Sequence, residues 1–216
     1  LRRAVPAAGA APAMPVLRSP SREAAEIVAI GASTGGIHSI GQLFGALPER
    51  LGVPILITQH LPASFIPAFA HQLHEISGRR TVPAEEGMPL MPDTILIAPG
   101  DAHLTLAERP SGHVVKLDRT PAPSGCMPSV DPMFASVAEH FGGAALGIVL
   151  TGMGRDGSDG AQEIALAGGT ILVQNEATSA VWGMPGAVAR AGLASAILHP
   201  RDIAGRIASA VAARNG

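Results

Sequence analysis

From Glu26 onward, short apolar runs alternate with segments long enough to be helices, and this rhythm restricts the chain to a wound α/β sheet. Parallel strands are expected at Glu26–Ile30, Pro54–Thr58, Thr94–Ala98, Leu146–Thr151 and Thr170–Gln174, with Arg80–Ala84 as a less regular sixth. Helices are expected between and after them, at Gly36–Leu47, Ser64–Ile76, Pro132–Phe141, Gly157–Ala167 and Pro200–Ala212. Asp131 followed by Pro132 reads as a side-chain cap followed by proline at the first helical position. His103–Glu108 and His113–Asp118 alternate apolar and polar residues around Pro110-Ser111-Gly112, the pattern of an antiparallel hairpin. The expected fold is therefore a wound, mostly parallel sheet with helices on both faces and an inserted antiparallel hairpin, a Rossmann-like three-layer sandwich.

In such sheets chemistry collects outside the carboxyl ends of the strands. The first strand runs into Gly31-Ala32-Ser33-Thr34-Gly35, the G-x-S-x-G spacing that lets a serine occupy a tight strand-to-helix turn with its oxygen above the sheet. Two other readings of this turn stand beside that one: small residues for close strand-helix packing, and a phosphate-binding loop. The phosphate reading lacks its partners, because no Lys follows Gly36 and Val53 to Gln59 offers no acid. The second strand ends in Thr58-Gln59-His60, and the Leu146–Thr151 strand ends in Gly152-Met153-Gly154-Arg155-Asp156-Gly157.

Three strand ends thus present a hydroxyl, an imidazole and a carboxylate. A serine needs a base that takes its proton during attack, and the base needs an acceptor that fixes its tautomer. Ser33, His60 and Asp156 are the candidates for nucleophile, base and orienting acid. Taken singly, His60 also reads as a satisfied half-buried histidine and Asp156 as a turn aspartate before Gly157. Asp159 falls in the first turn of the following helix, where it serves the helix dipole. The order Ser, His, Asp differs from those of the α/β-hydrolases, chymotrypsin and subtilisin. His71 and His74, three apart on a helix, do not form H-E-x-x-H and read as a solvated face. The lone Cys126 reads as a small packed thiol with no histidine beside it.

Composition narrows the classes further. With 216 residues, 47% of them hydrophobic, the chain can bury one substantial core. One cysteine excludes an internal disulfide and no Cys/His cluster has zinc spacing, so a reducing compartment is expected. All charge before Glu23 is positive (Arg2, Arg3, Arg18 and Arg22), which leaves 11 basic and 17 acidic residues beyond it. That balance argues against nucleic acid as partner. No apolar run approaches the roughly 18 residues of a membrane span. Residues 1–24, rich in Ala and Pro, are expected to be a disordered or extended interdomain linker, with the folded domain over 25–216.

Six blocks carry a resemblance to a known family. They are Ile30-Gly31-Ala32-Ser33-Thr34-Gly35-Gly36, Thr58-Gln59-His60-Leu61-Pro62, Ile97-Ala98-Pro99-Gly100-Asp101-Ala102-His103, Pro128-Ser129-Val130-Asp131, Leu150-Thr151-Gly152-Met153-Gly154-Arg155-Asp156-Gly157, and Gln174-Asn175-Glu176-Ala177 with Gly183-Met184-Pro185. In this order and spacing the chain resembles the catalytic domain of the CheB family, protein-glutamate methylesterases and protein-glutamine glutaminases of chemotaxis. The resemblance implies Ser33, His60 and Asp156 as the Ser-His-Asp triad, with Thr34 and Met153 lining the site and holding the oxyanion through backbone amides. It implies no metal and no organic cofactor.

The implied partners are methyl-accepting chemotaxis receptors through their cytoplasmic helical region, with an N-terminal receiver domain and a chemotaxis histidine kinase in the full-length protein. The implied setting is the cytoplasm, and a monomer is expected. Where many members carry basic residues just before Pro128-Ser129-Val130-Asp131, this chain has Gly125-Cys126-Met127.

Overall fold

A computed structural model of the chain describes residues 15–212. Its centre is β1 (Ile27–Ala32), every residue of which is buried, as expected of a strand covered on both faces. β1 pairs in parallel with β2 (Ile55–Gln59) on one side and β7 (Ala145–Val149) on the other. Outward from β2 lie β4 (Thr94–Ile97) and then β3 (Arg80–Pro83); outward from β7 lie β8 (Thr170–Gln174) and β9 (Ala196–Leu198). All seven strands are parallel. A separate antiparallel pair, β5 (His103–Arg109) and β6 (Gly112–Asp118), forms the expected hairpin.

Two apolar clusters, one per face, account for the three layers. On one face α1 (Gly36–Phe44), α2 (Ile66–Ser77) and α6 (Pro200–Ala212) bury Ile40, Phe44, Phe69 and Ile207 against Ile30 and Ile57. On the other face α3 (Val130–Phe141), α4 (Ser158–Leu166), α5 (Met184–Arg190) and the hairpin bury Phe134, Ile164, Val188 and Leu104 against Ala29 and Val149. Each fully buried large aliphatic or aromatic side chain is worth about 1.5–3 kcal/mol. The helix after β1 lies on the first face and the helix after β7 on the second, so the winding reverses between these two strands. The carboxyl ends of β1 and β7 therefore open a crevice at the topological switch point.

The expected strands and helices are present, with shifted ends and two additions. β1 continues past Ile30 to Ala32, and α1 stops at Phe44. α5 and β9 were not anticipated, because α5 has Pro185 and Gly186 in its first turn and β9 is three residues long, too short to show a period. The expected Asp131 cap is corrected: α3 begins at Val130 and Asp131 lies inside its first turn. Asp131 does not cap its own helix because its Oδ1 accepts the N–H of Gly160 at 2.8 Å, tying α3 to α4.

Of the segment expected as a linker, residues 1–14 lie outside the described residues. Residues 15–24 form neither helix nor strand. Arg18 donates its N–H to Ala194 O at 2.9 Å and its Nη2 to Ala165 O at 2.8 Å, and the Ser21 N–H donates to Thr170 Oγ1 at 2.8 Å.

Candidate active site

Ser33 and His60 directly follow two paired strands. The register Ala32↔Gln59 makes them the next pair across the β1–β2 ladder, where strands stand about 4.8 Å apart. Backbone bonds fix both: His60 N–H donates to Ala32 O and Ser33 N–H to Thr151 O, each at 3.0 Å. The Ser33 carbonyl accepts from Gly36 N–H at 2.8 Å and from Gln59 Nε2 at 2.9 Å, which folds the turn into α1. Gly35 takes φ 80° in that turn. A side chain on Gly36 would collide with the Gln59 amide, so only glycine fits there.

Asp156 lies in the loop after β7 and reaches His60: Nε2 and Oδ2 are 2.7 Å apart, with the histidine side chain 18% exposed and the aspartate 3%. The carboxylate is held from four further directions. Val130 N–H reaches Oδ2 at 2.8 Å, while Oδ1 accepts Ser129 Oγ–H at 2.6 Å, Gly157 N–H at 3.1 Å and Asp131 N–H at 3.4 Å. Two of these donors are the first amides of α3, so Asp156 caps a helix other than the one that follows it, and the positive end of the α3 dipole favours its anion. Burial works to raise the Asp156 pKa, but the bonds from His60, Ser129 and Val130 outweigh it and hold the carboxyl well below the usual range.

The tautomer follows from this charge. An ionised carboxylate only accepts, so His60 Nε2 carries a proton, and in the neutral imidazole the lone pair lies on Nδ1. The ring nitrogen engaged by the acid is thus the opposite of the chymotrypsin arrangement, in which the acid holds Nδ1.

A cavity of about 1000 Å³ opens beside the turn, lined at one end by Ser33, Thr34 and His60 and running between α1 and α2 to Ile76 and Arg201. Thr34 is exposed at its rim. Met153 is 69% exposed and lies across β1 from that cavity, next to Gly152, whose missing side chain leaves room for the Ser33 Cβ. Among the described residues, neither the Thr34 nor the Met153 N–H is spent on a backbone carbonyl.

The family model for CheB methylesterase matches residues 28–207. The chain belongs to the CheB methylesterase family. It is 50% identical over 178 residues to a protein-glutamate methylesterase/protein-glutamine glutaminase of Maricaulis maris, covering 82% of this chain and 44% of that one. It is 46% identical over 212 residues to a second such protein of Caulobacter vibrioides, covering 96% and 61%. The crystal structure of the Thermotoga maritima CheB methylesterase catalytic domain superimposes with a TM-score of 0.83 at 33% identity, covering 86% of this chain and 98% of that one. The chain spans about half the length of the curated relatives it matches.

Several residues of this CheB-family site escaped the motif reading. Ser129 was a letter in a matching block; in the fold its hydroxyl holds Asp156. His103 opens the hairpin strand β5 and is fully buried. It accepts Ser129 N–H on Nδ1 at 2.8 Å and donates Nε2–H to Thr120 O at 2.9 Å, so it fixes the residue that fixes the acid. No spacing rule links positions so far apart in sequence. Gln59 needed only its place beside His60 at the strand tip to be suspected.

The reading of Cys126 needs correction. Its Sγ lies with a His60 ring nitrogen and an Asp156 oxygen in a cluster whose members are all within 4.8 Å of one another. The loop before α3 folds back over the strand ends, which the element order did not reveal. Burial and the nearby Asp156 charge push the Cys126 thiol up, so it stays protonated and is a poor rival nucleophile.

Asp131 is the second acid near Asp156. Burial raises its pKa, the Gly160 N–H opposes that, and the Asp156 charge adds to the rise, taking it to about 7. The folded state therefore keeps a proton that the unfolded chain releases near pH 3.8. Stability falls as pH rises through this interval, and the full cost is present above it. Asp131→Asn retains the acceptor for Gly160 and is expected to be about 1–2 kcal/mol more stable than the parent at pH 8, a figure discounted for partial exposure. Urea unfolding should show that gap closing by pH 4.

Proposed function

We propose that this chain is a catalytic domain that hydrolyses glutamate methyl esters, and deamidates glutamines, on the cytoplasmic helices of methyl-accepting chemotaxis receptors. The single observation that carries the proposal is the 2.7 Å contact between His60 Nε2 and Asp156 Oδ2, made one register step from Ser33. Ser33 Oγ attacks the ester carbonyl while its proton passes to His60 Nδ1. The tetrahedral oxyanion accepts hydrogen bonds from the free amides of Thr34 and Met153, each worth about 3–4 kcal/mol in the transition state. His60 then protonates the departing methoxide, which leaves as methanol. Water, deprotonated by the same imidazole, attacks the acyl-serine and releases glutamate. With a glutamine side chain the leaving group is ammonia.

The groove is lined along α1 from Ile37 to the capping Gly45, a nine-residue helix about 13 Å long, which suits a helical protein substrate better than a small ester. Outside that groove, Met127 and Met153 are exposed in the loops around the same strand ends and offer a docking helix adaptable apolar contacts. In the intact protein, residues 1–24 join this domain to a receiver domain phosphorylated by a chemotaxis histidine kinase, and the enzyme works in the cytoplasm as a monomer. The bonding of His60 and Asp156 supports acid-base work on a serine and calls for no metal step.

Methanol release from methyl-labelled receptor membranes tests the proposal. Release by the chain, with ammonia from receptors carrying glutamine at the same sites, is expected. No release from receptors of the same source would overturn the substrate assignment.

A further inference from the structure

Cys126 brings a third kind of donor to the His60–Asp156 pair, and we infer that Cys126, His60 and Asp156 form a binding site for Zn²⁺ that switches the domain off. The inference rests on the reading of His60 as the base of the reaction. It starts from geometry: sulfur, nitrogen and oxygen donors from three separate segments lie within 4.8 Å of one another.

A thiolate, an imidazole and a carboxylate make a donor set suited to tetrahedral zinc, with the fourth position open to water or substrate. Donors around such an ion stand about 3.3–3.7 Å apart, given bonds of about 2.0–2.3 Å. The present cluster needs modest adjustment to meet this. His60 must move back from Asp156 by about half an ångström as zinc replaces the proton they share. The His60 backbone is fixed at the end of β2, so the half-ångström is taken up by rotation of its half-buried side chain. Cys126 sits in the loop between β6 and α3, where its N–H donates to Ser124 Oγ at 3.3 Å, and its Sγ is brought to the metal by side-chain rotation.

Asp156 is the fixed corner. Ser129, Gly157 and the α3 amides hold it in place, and supporting bonds of this kind orient a metal-ligating carboxylate. Binding releases the Cys126 thiol proton to solvent, since the metal takes the thiolate.

Inhibition follows from proton counting. A neutral imidazole has one nitrogen lone pair, and the metal takes it. Zinc between His60 and Asp156 takes Nε2, so the ring proton moves to Nδ1 and the lone pair meant for the Ser33 proton is gone. His60 can then no longer accept a proton from Ser33.

The test uses the whole chain and its Cys126→Ala variant, both first stripped of metal by a chelator, with thermal melting to show that the variant folds. Co²⁺ replaces Zn²⁺ as a spectroscopic probe. The parent is expected to bind one Co²⁺ with a thiolate-to-cobalt charge-transfer band in the near ultraviolet, displaced by Zn²⁺ and missing in Cys126→Ala. Zn²⁺ should inhibit methanol release by the parent reversibly, and Cys126→Ala, compared with its own metal-free rate, should need about ten-fold more zinc or beyond. Equal metal affinity in the two proteins, or no thiolate band, overturns the site. The band without any methanol release from metal-free protein would support the site and defeat the esterase reading. Release with identical zinc sensitivity would do the reverse.

Discussion

Ser33→Ala is expected to reduce methanol release by roughly a million-fold, the size found when the nucleophile is taken from a Ser-His-Asp unit. The substitution deletes one oxygen at the mouth of the cavity and leaves the turn intact. Ser33 is held through its backbone, by Thr151 O, Gly36 N–H and the Gln59 amide, and none of these bonds involves its hydroxyl. Stability should therefore change by less than about 0.5 kcal/mol, within the range of substitutions that remove no buried contact. The pairing of a lost reaction with an unmoved melting temperature is the informative result. A variant that keeps release within ten-fold of the parent would place the nucleophile elsewhere, and Cys126 would be the next group to replace.

Asp156→Asn is expected to damage both rate and stability. The carboxylate accepts from five donors, and no arrangement of an amide serves them all. With the new NH₂ toward His60, the ring must accept on Nε2 and carry its proton on Nδ1, the wrong tautomer for the Ser33 proton. The cost in kcat for such a tautomer error is about 10⁴-fold. With the NH₂ turned away, it faces the N–H groups of Gly157 and Asp131 instead, leaving buried donors unpaired at about 1–3 kcal/mol each.

We expect a loss of about 3 kcal/mol at pH 7, or about 10 °C in Tm for a chain of this length. The pH dependence identifies the cause. A carboxyl whose folded pKa is depressed contributes stability above its unfolded pKa and loses it as pH falls through the folded value. The gap between parent and variant should therefore narrow progressively below pH 4. A gap independent of pH down to 2 would mean that lost packing, and not the charge, explains the change.

The sheet was legible because a buried parallel strand must be apolar throughout. The runs at Ile27–Ala32, Ile55–Gln59 and Ala145–Val149 carry that requirement in their composition, and the parallel topology follows from the helix-length segments between them. The same logic placed Ser33, His60 and Asp156 at strand ends, since residues just past an apolar run in a wound sheet share one rim of it. Short or irregular elements left no such trace, as with β9 and the Pro-Gly start of α5.

By itself, then, the sequence determined the fold class, the rim formed by the strand ends, and the three side chains on it that we propose for acyl transfer. Only the tertiary structure decided how they are held: that Asp156 takes Nε2 of His60, that the α3 amides and Ser129 fix Asp156 while His103 fixes Ser129, and that Cys126 joins the cluster. The reason is physical. Strand burial is a local demand repeated along the chain and so is written in its periodicity, whereas a hydrogen bond between residues 25 to 96 positions apart depends on where loops return, and no single stretch of sequence records that.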